Sequence, residues 1–238
     1  QNTIEAKYTT PDAIEVNSLL SMMVDAGCEY CFMEVSSHAV VQKRIFGLTF
    51  CGGVFTNITH DHLDYHKTFA EYLAAKGSFF NMLPSSSFAI INIDDKNGHI
   101  MVQNSKAIKK TYAIKTLAHF KAKIVENRIS GLHLNIDGVD AWFKLIGEFN
   151  AYNLLAIYAT AVMLGITKEE VLQTLSNLNA VEGRFQIVES KNNITAIIDY
   201  AHTPDALENV LRTINSMLLP ENNLITVVGC GEIGRAHV

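Results

Sequence analysis

Three histidines and two aspartates crowd into His60-Asp61-His62-Leu63-Asp64-Tyr65-His66, directly after Gly53-Val54-Phe55-Thr56-Asn57-Ile58. The apolar run reads as a strand, and so much ionisable chemistry at a strand's end suggests a reaction site. Just beyond it, Thr68-Phe69-Ala70-Glu71 has the S/T-x-x-E form of a capping box and starts a helix reaching about Met82. At ~100° per residue, Phe69, Leu73, Lys76 and Phe80 share one face, which sets an ammonium near the middle of an apolar stripe. An ordinary helical lysine snorkels, with its stem buried and its charge in water. Beside this cluster a second reading opens. A free lysine, with a pKa of about 10.4, is neutral in only about one molecule in 10³ at pH 7, and burial raises that fraction. A neutral amine adds carbon dioxide to give a carbamate, which turns the cation into an anionic ligand able to face a metal.

Glu34 closes another expected strand, Cys31 to Val35, beside Ser36-Ser37-His38. A hard cation such as Mg²⁺ takes oxygen ligands with an occasional imidazole and keeps waters for a phosphate, so Glu34 and one clustered histidine would suffice as protein ligands. Zinc is the competing reading, because imidazole is its favoured ligand. Against zinc, the H-x-H and H-x₃-H spacings lie in a loop, and no metalloprotease or deaminase signature accompanies them. Thr9-Thr10-Pro11-Asp12 and Thr203-Pro204-Asp205 read as helix caps, and a helix N-terminus also attracts anions. In Gly147-Glu148-Phe149-Asn150-Ala151-Tyr152-Asn153 two asparagines fall on one face of a helix start; capping accounts for Asn150 and leaves Asn153 unexplained. No G-x-x-x-x-G-K-[ST] occurs, and Gly229-Cys230-Gly231 does not form a phosphate loop, so a self-contained nucleotide site is missing.

The elements that must position these groups alternate as βαβ. Thr10 as N-cap, Pro11 in the first turn and Gly27 past the end bracket a first helix. The strands at 31–35 and 53–58 follow, then the Lys76 helix and a third apolar run, Phe88 to Ile93, ended by Asp94-Asp95-Lys96-Asn97-Gly98. This predicts an α/β fold with a mostly parallel sheet covered by helices, in which ligands bind outside the carboxyl ends of the strands. From about 110 to 147 short alternating strands with turns at Ser130-Gly131 and Asp137-Gly138 predict an antiparallel flap. Helices at about 149–164 and 168–179 come next, then strands at 185–190 and 194–199 with a turn at Lys191-Asn192-Asn193. A helix opened by Thr203-Pro204 and a last strand from Leu224 to Val228 begin a second α/β unit that is cut short.

With 238 residues, 48% hydrophobic and 18% charged, the chain can build one large or one and a half ordinary domains. A net charge of −5 without a Lys/Arg-rich run lacks the electrostatic footprint of a nucleic-acid binder. No apolar stretch approaches the ~20 residues of a membrane span, and Gln1-Asn2-Thr3-Ile4-Glu5 is unlike a signal peptide, so the cytoplasm is expected. Cys28-Glu29-Tyr30-Cys31 has C-x-x-C spacing with no second pair, and its cysteines are expected to be buried free thiols, with a structural zinc or redox role as the alternative.

Taken together, several stretches resemble the Mur ligases of peptidoglycan synthesis. They are Thr9-Thr10-Pro11-Asp12, Met33-Glu34-Val35-Ser36-Ser37-His38 with Gln42 and Arg44, Asp61-His62-Leu63-Asp64-Tyr65-His66, Ala74-Ala75-Lys76, Gly147-Glu148-Phe149-Asn150 with Asn153, Gly183-Arg184, and Asp199-Tyr200-Ala201-His202-Thr203-Pro204-Asp205-Ala206-Leu207. The match follows the family's order over nearly the whole chain, and the last stretch points to the members that add the third amino acid of the peptide.

The resemblance implies ATP-dependent amide-bond formation with Mg²⁺. The γ-phosphate would pass to the D-glutamyl carboxylate of UDP-MurNAc-L-Ala-D-Glu, and a free amino acid's amine would displace it from the acyl phosphate. It implies Glu34, His62 and an N6-carbamylated Lys76 at the metals, Thr9, Thr10, Ser36, Gln42 and Arg44 on the UDP-sugar peptide, and Asn150, Asn153, Arg184, Asp199 and His202 at the nucleotide. A monomeric full-length enzyme is expected, and the choice between diaminopimelate and lysine is open. The domains implied are a central ATP-binding domain at 1–190 lacking its phosphate-binding loop, the start of a C-terminal ligase domain at 191–231, and a non-native tail at 232–238. That tail can be encoded by GAGATCGGAAGAGCACACGTC, which reads as a sequencing adapter. Two other functions stay open: a metal-dependent hydrolase with a carbamylated lysine, and a non-catalytic UDP-sugar-binding module.

Overall fold

The computed structural model describes residue 4 and residues 9–59, 63–190 and 194–229. His62, the turn at 191–193 and the tail at 232–238 lie outside the described residues. The chain divides into two compact units, Gln1–Tyr112 and Ala113–Val238.

In the first unit, α1 (Ala13–Asp25) begins where the Asp12 carboxylate accepts the amides of Ile14 and Glu15, both at 2.9 Å. Asp12 is therefore the N-cap, not Thr10; its side chain reaches amides two and three residues on, the geometry a cap requires. Gly27, at φ +77°, ends the helix as expected. Next come α2 (Ser37–Val41), β1 (Gly52–Phe55), the single turn α3 (Leu63–His66) and α4 (Phe69–Met82). Thr68 caps α4 through the Glu71 amide, as its capping-box pattern predicts. After α4 follow β2 (Phe88–Asn92), α5 (Gly98–Met101) and β3 (Ile108–Ala113).

Strands β1, β2 and β3 pair in parallel, with Gly52 opposite Phe88 and Phe88 opposite Ile108. β2 is buried at all five positions, as expected of a central parallel strand covered on both faces. Phe88 lies so close to β1 that a Cβ on Gly52 would stand 2.1 Å from its ring, so any larger residue there would have to displace that ring. Phe79, Phe80 and Leu83 of the α4 region pack with Phe55, Ile91 and Met101 in the core.

In the second unit β4 (Phe120–Arg128), β5 (Gly131–Ile136) and β6 (Val139–Phe143) form an antiparallel meander, matching the flap expected there. Its tight turn carries Asp137 at φ +50° and Gly138 at φ +90°, the left-handed pair that a two-residue hairpin needs. The Asp137 carboxylate also accepts the Lys121 amide, the Tyr158 hydroxyl and the Lys168 ammonium, tying the turn to two helices. Burial and that carboxylate push the Tyr158 pKa up. These helices are α6 (Glu148–Met163) and α7 (Lys168–Ser176). The hairpin β7 (Gln186–Glu189) and β8 (Thr195–Ile198) precedes α8 (Pro204–Asn215), which Thr203 caps with proline at its first position.

The fold is α/β, a parallel sheet with helices accompanied by antiparallel ribbons. Four further local expectations change. Residues 31–35 and 224–228 are apolar enough for strands but take up no ladder, since a strand exists only through a partner and none pairs with them among the described residues. β3, expected within the flap, joins the parallel sheet because the 93–107 connection is long enough for a crossover. Asn150 is not a cap: Gly147, at φ +98°, holds that position, and the Asn150 side-chain Nδ2 donates back to the Ile146 carbonyl at 2.8 Å. Cys28, Cys31 and Cys51 are exposed free thiols rather than buried ones, because no described element covers the segment that carries the first two.

Candidate functional site

Thr10 is fully buried, and its hydroxyl links two expected site segments. Oγ1 donates to the Glu34 carbonyl at 2.7 Å and accepts the Ser36 amide at 3.2 Å. Ser36 in turn caps α2 through the Ala39 amide. Arg44 closes the ring: Nη1 donates to the Thr10 carbonyl at 2.7 Å, while Nε and Nη2 both donate to Gln42 Oε1, at 2.9 and 2.6 Å. Gln42 Nε2 lies 3.5 Å from the Tyr65 hydroxyl. Thr10, Glu34, Ser36, Gln42 and Arg44, which are scattered over 35 positions of sequence, thus form one hydrogen-bonded group. The guanidinium supplies its positive charge, and the exposed Glu34 side chain a carboxylate; Thr9 beside them is exposed.

A ladder of rings leads from this group to Lys76. The His38 and Tyr65 rings are 4.0 Å apart, those of Tyr65 and His66 4.9 Å, and those of His66 and Tyr72 5.2 Å. Lys76 Nζ stands 5.3 Å from the centre of the Tyr72 ring, within cation–π range. The buried face of α4 is set by Tyr72, Phe79 and Phe80, which stand four residues before and three and four after Lys76, so Lys76 lies half-buried near the middle of that face, as its spacing predicts. The sequence singles out no role for Ser37 or Tyr72, and His66 only as one of the clustered histidines. The available signal was spacing, since Tyr72 precedes Lys76 by four residues on one helix face.

In the second unit a cavity of about 280 Å³ is lined by Lys144, Ile146, Asn150, Asn179, Phe185 and Gln186, among others. Small-molecule sites run from ~300 Å³ upward, so it suits a flat ring system rather than a whole nucleotide. The Asp199 carboxylate fixes one wall, accepting the Phe185 amide and its own Ala201 amide, both at 2.8 Å. Phe185 is held at φ +47°, and the neighbouring Arg184 guanidinium lies 5.2 Å from the Tyr200 ring. Asn153 donates to Asn150 Oδ1 at 3.1 Å, and His202 Nδ1 lies 3.0 Å from the Tyr200 carbonyl. Asn150, Asn153, Arg184, Asp199 and His202 thus fall in two linked sets, the asparagine pair and the Asp199–Tyr200 turn, of which Asn150 touches the cavity directly.

Among the described residues no three His, Cys, Asp or Glu side chains gather as a metal site. The expected donor set fits a hard cation on chemistry alone: Glu34 offers oxygen, and Lys76 would do so only as a carbamate, since an ammonium over a tyrosine ring has no lone pair to give.

This is an α/β protein with a polar cluster at helix starts in its first unit and a ring-sized cavity beside a hairpin in its second. Residues 1–161 match the Mur ligase middle domain and residues 183–236 the Mur ligase glutamate ligase domain. The chain belongs to the Mur ligase family. It is 60% identical over 228 residues to the UDP-N-acetylmuramoyl-L-alanyl-D-glutamate--2,6-diaminopimelate ligase of Cytophaga hutchinsonii, covering 96% of this chain and 47% of that protein. The ligase of the same name from Parabacteroides distasonis is 54% identical, with the same coverage. A solved structure of a ligase so named superposes with a TM-score of 0.76 at 28% identity, covering 88% of this chain and 44% of that one. The chain spans about half the length of the curated relatives it matches.

Proposed function

We propose that this chain is the central part and the start of the C-terminal part of an ATP-dependent ligase that joins diaminopimelate to UDP-MurNAc-L-Ala-D-Glu. The single observation that carries the reading is the Thr10–Glu34–Ser36–Gln42–Arg44 group, which family resemblance assigned in advance and which the fold draws together by direct hydrogen bonds. The names of relatives at 60% and 54% identity support diaminopimelate over lysine.

Two anions, a carboxylate and a triphosphate, must meet before an acyl phosphate can form, and their repulsion is the main barrier to overcome. Arg44, fixed through Gln42 and the Thr10 carbonyl, is placed to hold the acidic groups of the UDP-sugar peptide. Ser36 and Thr9 offer hydroxyls to the same substrate, while Thr10 spends its hydroxyl on shaping the segment that carries Glu34. Glu34, His62 and carbamylated Lys76 would hold Mg²⁺, which when bound neutralises phosphate charge. The cavity walled by Asn150 and Phe185 would take the adenine ring, with Asn153, Arg184, Asp199 and His202 around it. The domain boundary near residue 190 belongs to the same proposal, although the second family match already starts at residue 183.

The test uses the ligase carrying this sequence at the length of its relatives. With Mg-ATP and UDP-MurNAc-L-Ala-D-Glu, phosphate release should depend on diaminopimelate and proceed far more slowly with lysine. A preference for lysine would overturn the choice of amino acid, and release with no amino acid incorporated would overturn the ligase reading.

A further inference from the structure

His66 and Ser37 are both almost fully buried, at 5% and 1% exposure, and neither has a part in the function proposed above. His66 Nε2 and Ser37 Oγ share a hydrogen bond of 2.8 Å across 29 residues of sequence. Ser37 is the first residue of α2, directly after Ser36, so it is bonded to the segment that Thr10 clamps at Glu34 and Ser36. His66 closes α3, and its ring packs against Tyr72, on whose other neighbour, Lys76, the ammonium stands 5.3 Å from the tyrosine ring. One path of contacts therefore runs Glu34 segment, Ser37, His66, Tyr72, Lys76.

We propose that His66 is a positioning residue: through Ser37 it ties the segment bearing Glu34 to the ring on which Lys76 rests, and so fixes where the Lys76 amine stands. The idea rests on the ligase reading only for its consequence in turnover; the geometry it claims does not. Burial makes the bond a strong constraint. Breaking one side strands the other polar group away from water, which is costlier than losing an exposed hydrogen bond. Tyr65 and His38 pack beside the same imidazole, with ring centres at 4.9 and 5.6 Å, so its plane is held on more than one side and the hydrogen bond selects one orientation from few.

Three substitutions separate bond from ring. His66→Phe keeps a ring beside Tyr72 and removes the hydrogen bond. Ser37→Ala removes the same bond from the other end with little change of volume. His66→Gln places an amide where Nε2 was and restores a partner for Ser37 whether the hydroxyl donates or accepts. The first readout is trace acetylation of the purified chain with acetic anhydride, the Lys76 peptide being quantified by mass spectrometry against the Lys121 peptide. Lys121 is a suitable reference because its Nζ is held by the Ile114 and Thr116 carbonyls in the other unit. His66→Phe and Ser37→Ala should raise the Lys76 rate about tenfold, while His66→Gln stays near wild type. Should His66→Phe fail to fold, Ser37→Ala carries the comparison. Equal labelling in wild type, Ser37→Ala and His66→Gln would overturn the proposal, as would a rise in His66→Gln equal to that in Ser37→Ala.

The second readout is kinetic, in the length-restored ligase. His66→Phe and Ser37→Ala should lower kcat about tenfold with KM for UDP-MurNAc-L-Ala-D-Glu within about twofold of wild type, and His66→Gln should recover most of kcat. A rise in KM alone would overturn the assignment. If the wild-type enzyme forms no amide bond, the ligase reading fails while the labelling result still decides the role of His66.

Discussion

A single buried hydroxyl, that of Thr10, satisfies the Glu34 carbonyl and the Ser36 amide at once. Thr10→Val keeps the shape and removes both bonds, leaving two backbone groups short of partners. A cost of about 1–3 kcal/mol in urea-induced unfolding is expected. In the length-restored ligase the same change should raise KM for the UDP-sugar peptide more than it lowers kcat, because it disturbs the Ser36 and Arg44 geometry rather than the phosphoryl acceptor. Unaltered KM would show that the cluster is a fold device alone. Lys76 makes the contrasting case. If it works as a carbamate, Lys76→Ala removes an anion from a site that must hold Mg²⁺ beside phosphate, so ligation should be abolished. A small carboxylic acid at high concentration should restore part of it, and full activity in the alanine variant would dispose of the carbamate.

Among the elements, β3 holds an unusual internal group. The Tyr112 hydroxyl is fully buried and has no hydrogen-bond partner among the described residues. Burial, with Asp95 as a lesser cause, pushes its pKa up. A proton that the folded state holds more tightly stabilises that state below the unfolded tyrosine pKa of about 10, and this contribution is lost as pH rises through the folded value. Tyr112→Phe removes both the unsatisfied group and the ionisation. It should raise stability at pH 7 by about 1 kcal/mol and move alkaline unfolding to higher pH. A loss of stability at pH 7 would mean that the hydroxyl has a partner after all, such as a buried water. The same elements show what the sequence could and could not disclose. The α4 cap at Thr68, the α8 cap at Thr203 with Pro204, the Asp137-Gly138 turn and the buried strand β2 were legible, because each is written in neighbouring residues. Residues 31–35 and 224–228 carry equally good apolar runs, yet pairing depends on a partner that no local pattern names. Thr10 misled for a related reason. Thr-Pro is a good cap signal, but Asp12 lies closer to the helix and competes for the same amides, freeing Thr10 for a contact 24 residues away. Within the site, motif resemblance supplied the five residues of the Arg44 cluster, whereas the Ser37–His66 bond had no sequence signature because it depends on how α2 and α3 meet.

At the scale of the whole molecule, the ligation proposed above needs phosphate-binding groups that this sequence does not contain. Phosphoryl transfer rests on positioning and charge neutralisation, and the backbone cradle with its lysine that ordinarily grips β- and γ-phosphates has no counterpart in these 238 residues, which hold no G-x-x-x-x-G-K-[ST]. Loss of one stabilising donor costs about 10²–10³ in rate, so loss of a whole phosphate cradle should put turnover below detection. Exposed apolar side chains of the first unit, Ile14, Phe32 and Phe46 among them, are expected to leave the isolated chain poorly soluble as well. The decisive measurement is phosphate release by purified residues 1–231 with Mg-ATP, UDP-MurNAc-L-Ala-D-Glu and either diaminopimelate or lysine. No release above the enzyme-free control is expected, while adenine-nucleotide binding at the Asn150 cavity should survive weakly and fall further in Asn150→Ala. Substrate-dependent release that disappears in Lys76→Ala would establish that these residues alone suffice for ligation, and that the phosphates are held by groups other than a glycine-rich loop.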